Sequence, residues 1–300
     1  MREAPIAPRI VAFFGLVYCS LNSANGASPY EDGLKLERER KWAAAAAAFS
    51  KAIEADPKNA DAYRKHGAAL VQMGKFDESL ADANRAIALA PRSAKAYALR
   101  GYIEMRLHKF KQAQKDADQC LDIDSQLGDG YALKGMVLVK MERYEEALPN
   151  LNQAISHGFK ESEVFGFRAL VYIAKVDYQR AIDDLTKLIS TPDGKNAYGA
   201  FSNRGFSFLR MNDYDRAIAN CTEAIQMFSR STGPTGDWLG ESTHMRAETY
   251  NTRGSAFAAK GDYRKAIADF DTAIRIEAGN TAARHNRALA YEKLNEAKVR

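Results

Sequence analysis

From about residue 27 onward, apolar positions recur three and four apart in pairs of short stretches, each pair split by a polar break such as GK, GD or ND. KHGAALVQMGKFDESLADANRAI from Lys65, KGMVLVKMERYEEALPNLNQAI from Lys134 and TRGSAFAAKGDYRKAIADFDTAI from Thr252 share one rhythm. It runs small residue, helix, turn, aromatic, small residue, helix. The first small residue falls at Gly33, Gly67, Gly101, Gly135, Ala169, Gly205, Gly254 and Ala288, at steps of 34, 34, 34, 34, 36, 49 and 34. Such self-similarity predicts a row of helical hairpins stacked into one elongated core.

The other positions in phase carry the same message. Nine residues beyond each small residue except the last stands an aromatic: Trp42, Phe76, Phe110, Tyr144, Tyr178, Tyr214 and Tyr263. Three further on come Ala45, Ser79, Ala113, Ala147, Ala181, Ala217 and Ala266, and seven beyond those Ala52, Ala86, Cys120, Ala154, Leu188, Ala224 and Ala273. Glycine costs about 1 kcal/mol against alanine inside a helix, so its recurrence marks places where two helix backbones approach closely. Aromatics fill the wider gaps. The expected fold is all-α, an α-α hairpin superhelical solenoid of about seven repeats. These lie near 26–59, 60–93, 94–127, 128–161, 162–197, 198–246 and 247–280, and the segment 281–300 is a polar capping helix.

The glycine, aromatic, alanine and proline pattern over 34 residues resembles the tetratricopeptide repeat, and the resemblance covers nearly all of the chain from Ala27 on. It departs from the family near the end of the second helix. Proline stands there at Pro57 and Pro91, but Ser125, Phe159, Asp193 and Gly279 take its place elsewhere. The resemblance implies a non-catalytic scaffold whose first helices line a concave groove, faced by the residues one, four and five after each recurrent Gly or Ala. It thereby nominates Tyr102, Met105 and Arg106; Met136, Val139 and Lys140; Leu170 and Ile173; and Phe206, Leu209 and Arg210. Arg64 extends the basic character toward the first repeats. Such a surface suits a partner peptide or protein segment with apolar side chains and a few acidic groups. The alternative is that these apolar residues only pack on neighbouring helices or on a second copy. Some relatives grip a C-terminal carboxylate with lysine and asparagine, but Ala68 stands where that asparagine belongs, which disfavours a chaperone adaptor.

The long step from Gly205 to Gly254 holds fifteen extra residues, around Phe228–Arg246. Glycine, proline, serine and threonine predominate there, so a surface loop is the simpler expectation, with an extended helix end the other. Trp238 is its candidate partner-binding anchor, or else folds back on the stack. Self-association and regulation of an enzyme through this loop are the two rival functions.

At the N-terminus, Arg2 and Arg9 precede the uninterrupted apolar run Ile10–Tyr18. This resembles a secretory signal peptide over 1–26, cleaved before Ala27. The run is about half the length needed to span a bilayer, so no stable span is expected after cleavage. Export, to a periplasm, is the expected location; a cytoplasmic or N-terminally anchored chain is the alternative. Tyr18 disfavours lipidation of Cys19, and Cys120 and Cys221, three repeats apart, are expected as free buried thiols.

The formal net charge is +5 with both signs interleaved, which shows no phosphate-tracking stripe and argues against nucleic acid. No catalytic cluster, cofactor motif or metal site is expected. His66, His108, His157, His244 and His285 fall in different repeats, without HExxH or CxxC spacing. Asp122, Asp124 and Asp129 fail as a calcium loop because Leu127 and Leu133 hold the glycine and glutamate positions.

Overall fold

A computed structural model describes residues 27–159, 162–192, 197–230 and 243–299. The expected signal segment 1–26 and Trp238 lie outside them. The described chain is all helix and turn. Its hairpins pair α1 (Pro29–Arg38) with α2 (Trp42–Ala55), α3 (Ala60–Gln72) with α4 (Phe76–Leu89), and α5 (Ala94–Arg106) with α6 (Phe110–Ile123). They continue with α7 (Gly128–Lys140) and α8 (Tyr144–Ser156), α9 (Glu163–Ala174) and α10 (Tyr178–Ser190), and α11 (Tyr198–Arg210) and α12 (Tyr214–Arg230). α13 (Thr243–Ala259) and α14 (Tyr263–Ile276) complete the seventh, and α15 (Thr281–Val299) closes the stack. Each recurrent aromatic is the first residue of a second helix.

Within each hairpin the two helices are joined by the same tight turn. One residue takes a left-handed conformation, at Arg40, Gly74, His108, Glu142, Val176, Asn212 and Gly261, with φ between 57° and 82°. The next amide donates back to a carbonyl five residues earlier, as in Lys75 N to Leu70 O at 3.0 Å and Asp177 N to Tyr172 O at 2.8 Å. This satisfies carbonyls that the helix end would otherwise leave unpaired. At two junctions between hairpins an aspartate supplies the turn, once with proline and once without. Asp56 Oδ1 accepts from Lys58 N beside Pro57, and Asp124 Oδ1 accepts from Gln126 N where Ser125 replaces it, both at 3.0 Å.

Packing follows the small residues. Ala45, Ser79, Ala113, Ala147, Ala181, Ala217 and Ala266 have no exposed surface. At Gly135 an added Cβ would sit 2.7 Å from the side chain of Leu151, so only a missing side chain lets α7 and α8 come this close. The largest core lies mid-stack, where Leu133, Val137, Leu151, Val164, Phe167 and Val171 are all buried. Burying each such side chain is worth about 1.5–3 kcal/mol.

The first helices of successive hairpins touch one another from α3 through α15, whereas the second helices make no comparable contact with each other among the described residues. First helices therefore crowd the inner side of the curve. Among the described residues no helix is long and apolar enough to cross a membrane.

The two described ends of the insertion are helical, as the extended-helix alternative expects, and residues 231–242 lie outside the described residues. Phe228–Arg230 prolongs α12, and Thr243–Arg246 opens α13, so both helices reach 17 residues. The Phe228 ring meets Tyr198 edge-on with centroids 4.3 Å apart, and the Arg246 guanidinium lies 5.5 Å from the Phe228 ring. Packing on the first helix of its own hairpin and on the start of the next supports the prolonged end of α12. α15 exposes Arg284, Glu292, Lys293 and Glu296 as a cap should, yet Leu289 and Tyr291 are each 46% exposed.

Candidate functional site: the inner face

The nominated groove residues part into three groups. Met105, Met136 and Val139 are 3%, 2% and 6% exposed and belong to the central core, which corrects their placement on an accessible surface. Crowding of α5, α7 and α9 along the inner side closes over the middle of the row. Tyr102 finishes the seal: its hydroxyl, on α5, donates to Glu163 on α9, 3.1 Å to Oε2, passing over the intervening hairpin. Arg106 Nη1 donates to the same hydroxyl at 3.2 Å, and its guanidinium lies 5.1 Å from the Phe76 ring. Burial, then the charge of Glu163, pushes the Tyr102 hydroxyl far above the ordinary phenol range.

A second group is engaged locally. Arg64 is held by Asp61, whose other oxygen takes the hydroxyl proton of Tyr30, so the basic end of the first repeats is neutralised. Burial, then Asp61, pushes the Tyr30 hydroxyl up to about 12. The Lys140 ammonium lies 5.6 Å from the Phe167 ring.

The third group is open. Leu170, Ile173, Phe206 and Leu209, on α9 and α11, are half-buried, and Arg210 is exposed. Phe206 meets Tyr178 edge-on at 6.1 Å, and the Arg210 guanidinium sits 5.1 Å from the Tyr178 ring and 5.8 Å from that of Phe206. No carboxylate among the described residues pairs with Arg210. The usable inner face is thus concentrated in the fifth and sixth repeats: an apolar step with a cation at its edge.

Sequence reasoning missed a second pattern. In five repeats the residue before the recurrent Gly or Ala reaches the residue sixteen later on the second helix: His66 to Asp82, Arg100 to Asp116, Arg168 to Asp184, Arg204 to Asn220 and Arg253 to Asp269, at 2.6–2.8 Å. The same arginines stack on the aromatic three residues earlier, as Arg204 does on Phe201 at 5.4 Å. The spacing of sixteen was legible in the sequence as a signal for this cross-hairpin lock. Glu163 had no such signal, since its partner lies 61 residues away.

Cys120 and Cys221 are free, fully buried thiols, both pushed up to about 12, chiefly by burial. His66 and His157 sit in structural roles, the first on Asp82 and the second stacked at 5.2 Å on Tyr131.

Models of the tetratricopeptide repeat match residues 64–125, 128–156 and 247–280. No curated protein matches the chain by sequence. Among solved structures, a chain of the APC/C hetero-tetramer Cut9–Hcn1 is similar at 16% identity with a TM-score of 0.63, over 85% of this chain. This chain spans about half of that one, 47%. The pilF protein of Pseudomonas aeruginosa is similar at 19% identity with a TM-score of 0.58, over 76% of this chain and 96% of its own. At these identities the likeness shows the fold alone.

Proposed function

This chain is a tetratricopeptide repeat protein, and on that footing we propose that it is a non-catalytic scaffold holding a segment of a partner protein against its inner face. The observation that carries this reading is the open step on α9 and α11. Leu170, Ile173, Phe206 and Leu209 stay half-exposed there beside Arg210, a cation stacked on rings without a described carboxylate partner. Apolar side chains of a partner would cover the step, and an acidic group would meet Arg210, where the flanking rings exclude water and strengthen the pairing. Farther along the row, Tyr102 and Glu163 already occupy the inner face, so the segment binds toward the C-terminal half.

Capture from the host with the chain and with Arg210→Glu or Leu209→Ser tests this. Arg210 is exposed and Leu209 is half-buried at the edge of a core cluster, so unchanged melting is required to confirm that each variant folds. A partner retained by the parent and lost at least tenfold by both variants supports the reading. If every captured protein binds the variants equally, the groove assignment is wrong. Self-association is the rival reading; it fails if light scattering gives a monomer mass at all concentrations. We also propose export, on the basic start and apolar run of residues 1–18. Mass spectrometry of the exported form beginning at Ala27 would support it, and an intact Met1 there would remove it.

A further inference from the structure

We propose that His244, Glu248 and Glu277 form a site for one divalent first-row transition ion, with zinc the best fit, at the junction of α13, α14 and α15. His244 and Glu248 stand four apart on the first turns of α13 and so share one face. Glu277 is the C-cap residue of α14, and the chain turn places it against that face. His244 Nδ1 lies 3.0 Å from both oxygens of Glu277, and one ligand atom from each of the three residues falls within 4.8 Å of the others. Ligands around a tetrahedral zinc stand about 3.4 Å apart, given bonds of about 2.0–2.2 Å. Side-chain rotation of the two glutamates covers the difference.

What separates this cluster from a chance meeting of surface charges is the shell behind it. Asn280, 5% exposed, donates its amide to Glu248 Oε1 at 2.7 Å and to Glu277 Oε2 at 3.0 Å, so one buried side chain aims both carboxylates. Asn251, 8% exposed, approaches the other Glu248 oxygen at 3.3 Å. Asn280 is itself held, because its carbonyl caps α15 through Ala283 N at 2.9 Å. Orienting partners of this kind are what a ligating carboxylate requires. Among the described residues neither carboxylate pairs with a lysine or arginine, and the imidazole beside Glu277 is charged only when protonated; a dication removes their repulsion. One imidazole with two carboxylates selects zinc and its neighbours over calcium or magnesium, which prefer oxygen alone. His244 is exposed, so the ion has an open path.

The test uses the full chain without a histidine tag, stripped by chelator and titrated with Co2+ and then Zn2+. One equivalent of cobalt should develop a visible absorption band that zinc abolishes, and saturating zinc should raise the melting temperature. His244→Ala and Glu277→Gln, each folded by circular dichroism in the metal-free state, should lose the band, the thermal shift and at least tenfold in affinity. Absence of stoichiometric binding in the parent overturns the proposal. So does binding that both variants retain, which would place the ion elsewhere.

Discussion

Arg168 holds Asp184 through two parallel hydrogen bonds, Nε to Oδ2 at 2.7 Å and Nη2 to Oδ1 at 2.8 Å, and Asp184 is only 2% exposed. The third nitrogen reaches back to Asn152 of the preceding hairpin at 2.8 Å, so one guanidinium joins the two helices of its own repeat and the repeat before. Arg100 does the same with Asp116 and Asn84. The planar fork of arginine fits this geometry; lysine would make one bond.

Removing Arg168 leaves the buried Asp184 carboxylate without its two hydrogen bonds and with only the more exposed Lys187 ammonium at 3.7 Å. Arg168→Ala is expected to cost about 3–5 kcal/mol, whereas Arg168→Met combined with Asp184→Leu should cost much less than the two single changes summed. Urea midpoints of the four proteins measure this. Additive losses would show that Asp184 is solvated rather than locked.

Val176 occupies the left-handed turn position at φ 63° and is 64% exposed. A β-branched residue is strained there, and Gly74 and Gly261 take the equivalent place in other repeats at φ 73° and 82°. Val176→Gly should stabilise the chain by about 1 kcal/mol, the relief of strain outweighing the entropy of glycine. A lower melting temperature for this variant would show that the turn carries no strain.

Glu104 lies beside Arg100 with one carboxylate oxygen buried and unpartnered among the described residues. Burial, then the charge of Asp116, raises its pKa. A raised folded-state value favours the protonated acid in the folded chain. Its stability is then fully present below the unfolded carboxylate value, about 4.3, and is lost as pH rises through the folded value. Glu104→Gln removes that loss. The variant should melt above the parent at pH 7 and together with it below about pH 4. A difference independent of pH would mean that the carboxylate charge is not the cause.

Much of this architecture was legible before any coordinates. The rhythm marks Ala45 and Ala113 as helix contacts, and they are fully buried; Phe76 and Tyr178 begin their helices as it requires. The inner face was less legible. Met136 and Leu170 hold equivalent places in adjacent repeats, yet the first is core and the second half-exposed. That contrast depends on Tyr102 and Glu163 meeting 61 residues apart, which no local period encodes. The helical ends of the insertion depend likewise on Phe228 packing against Tyr198.

The sequence by itself determined the repeat, the helix pairing and the buried small positions, because hairpin packing is local and each unit repeats the same steric demand. Only the tertiary structure decided which inner-face residues remain open and which ligating groups meet at the end of α14. Those outcomes depend on how closely successive hairpins crowd one another along the curve. That distance is set by side chains in different repeats, with no spacing in the chain to announce it.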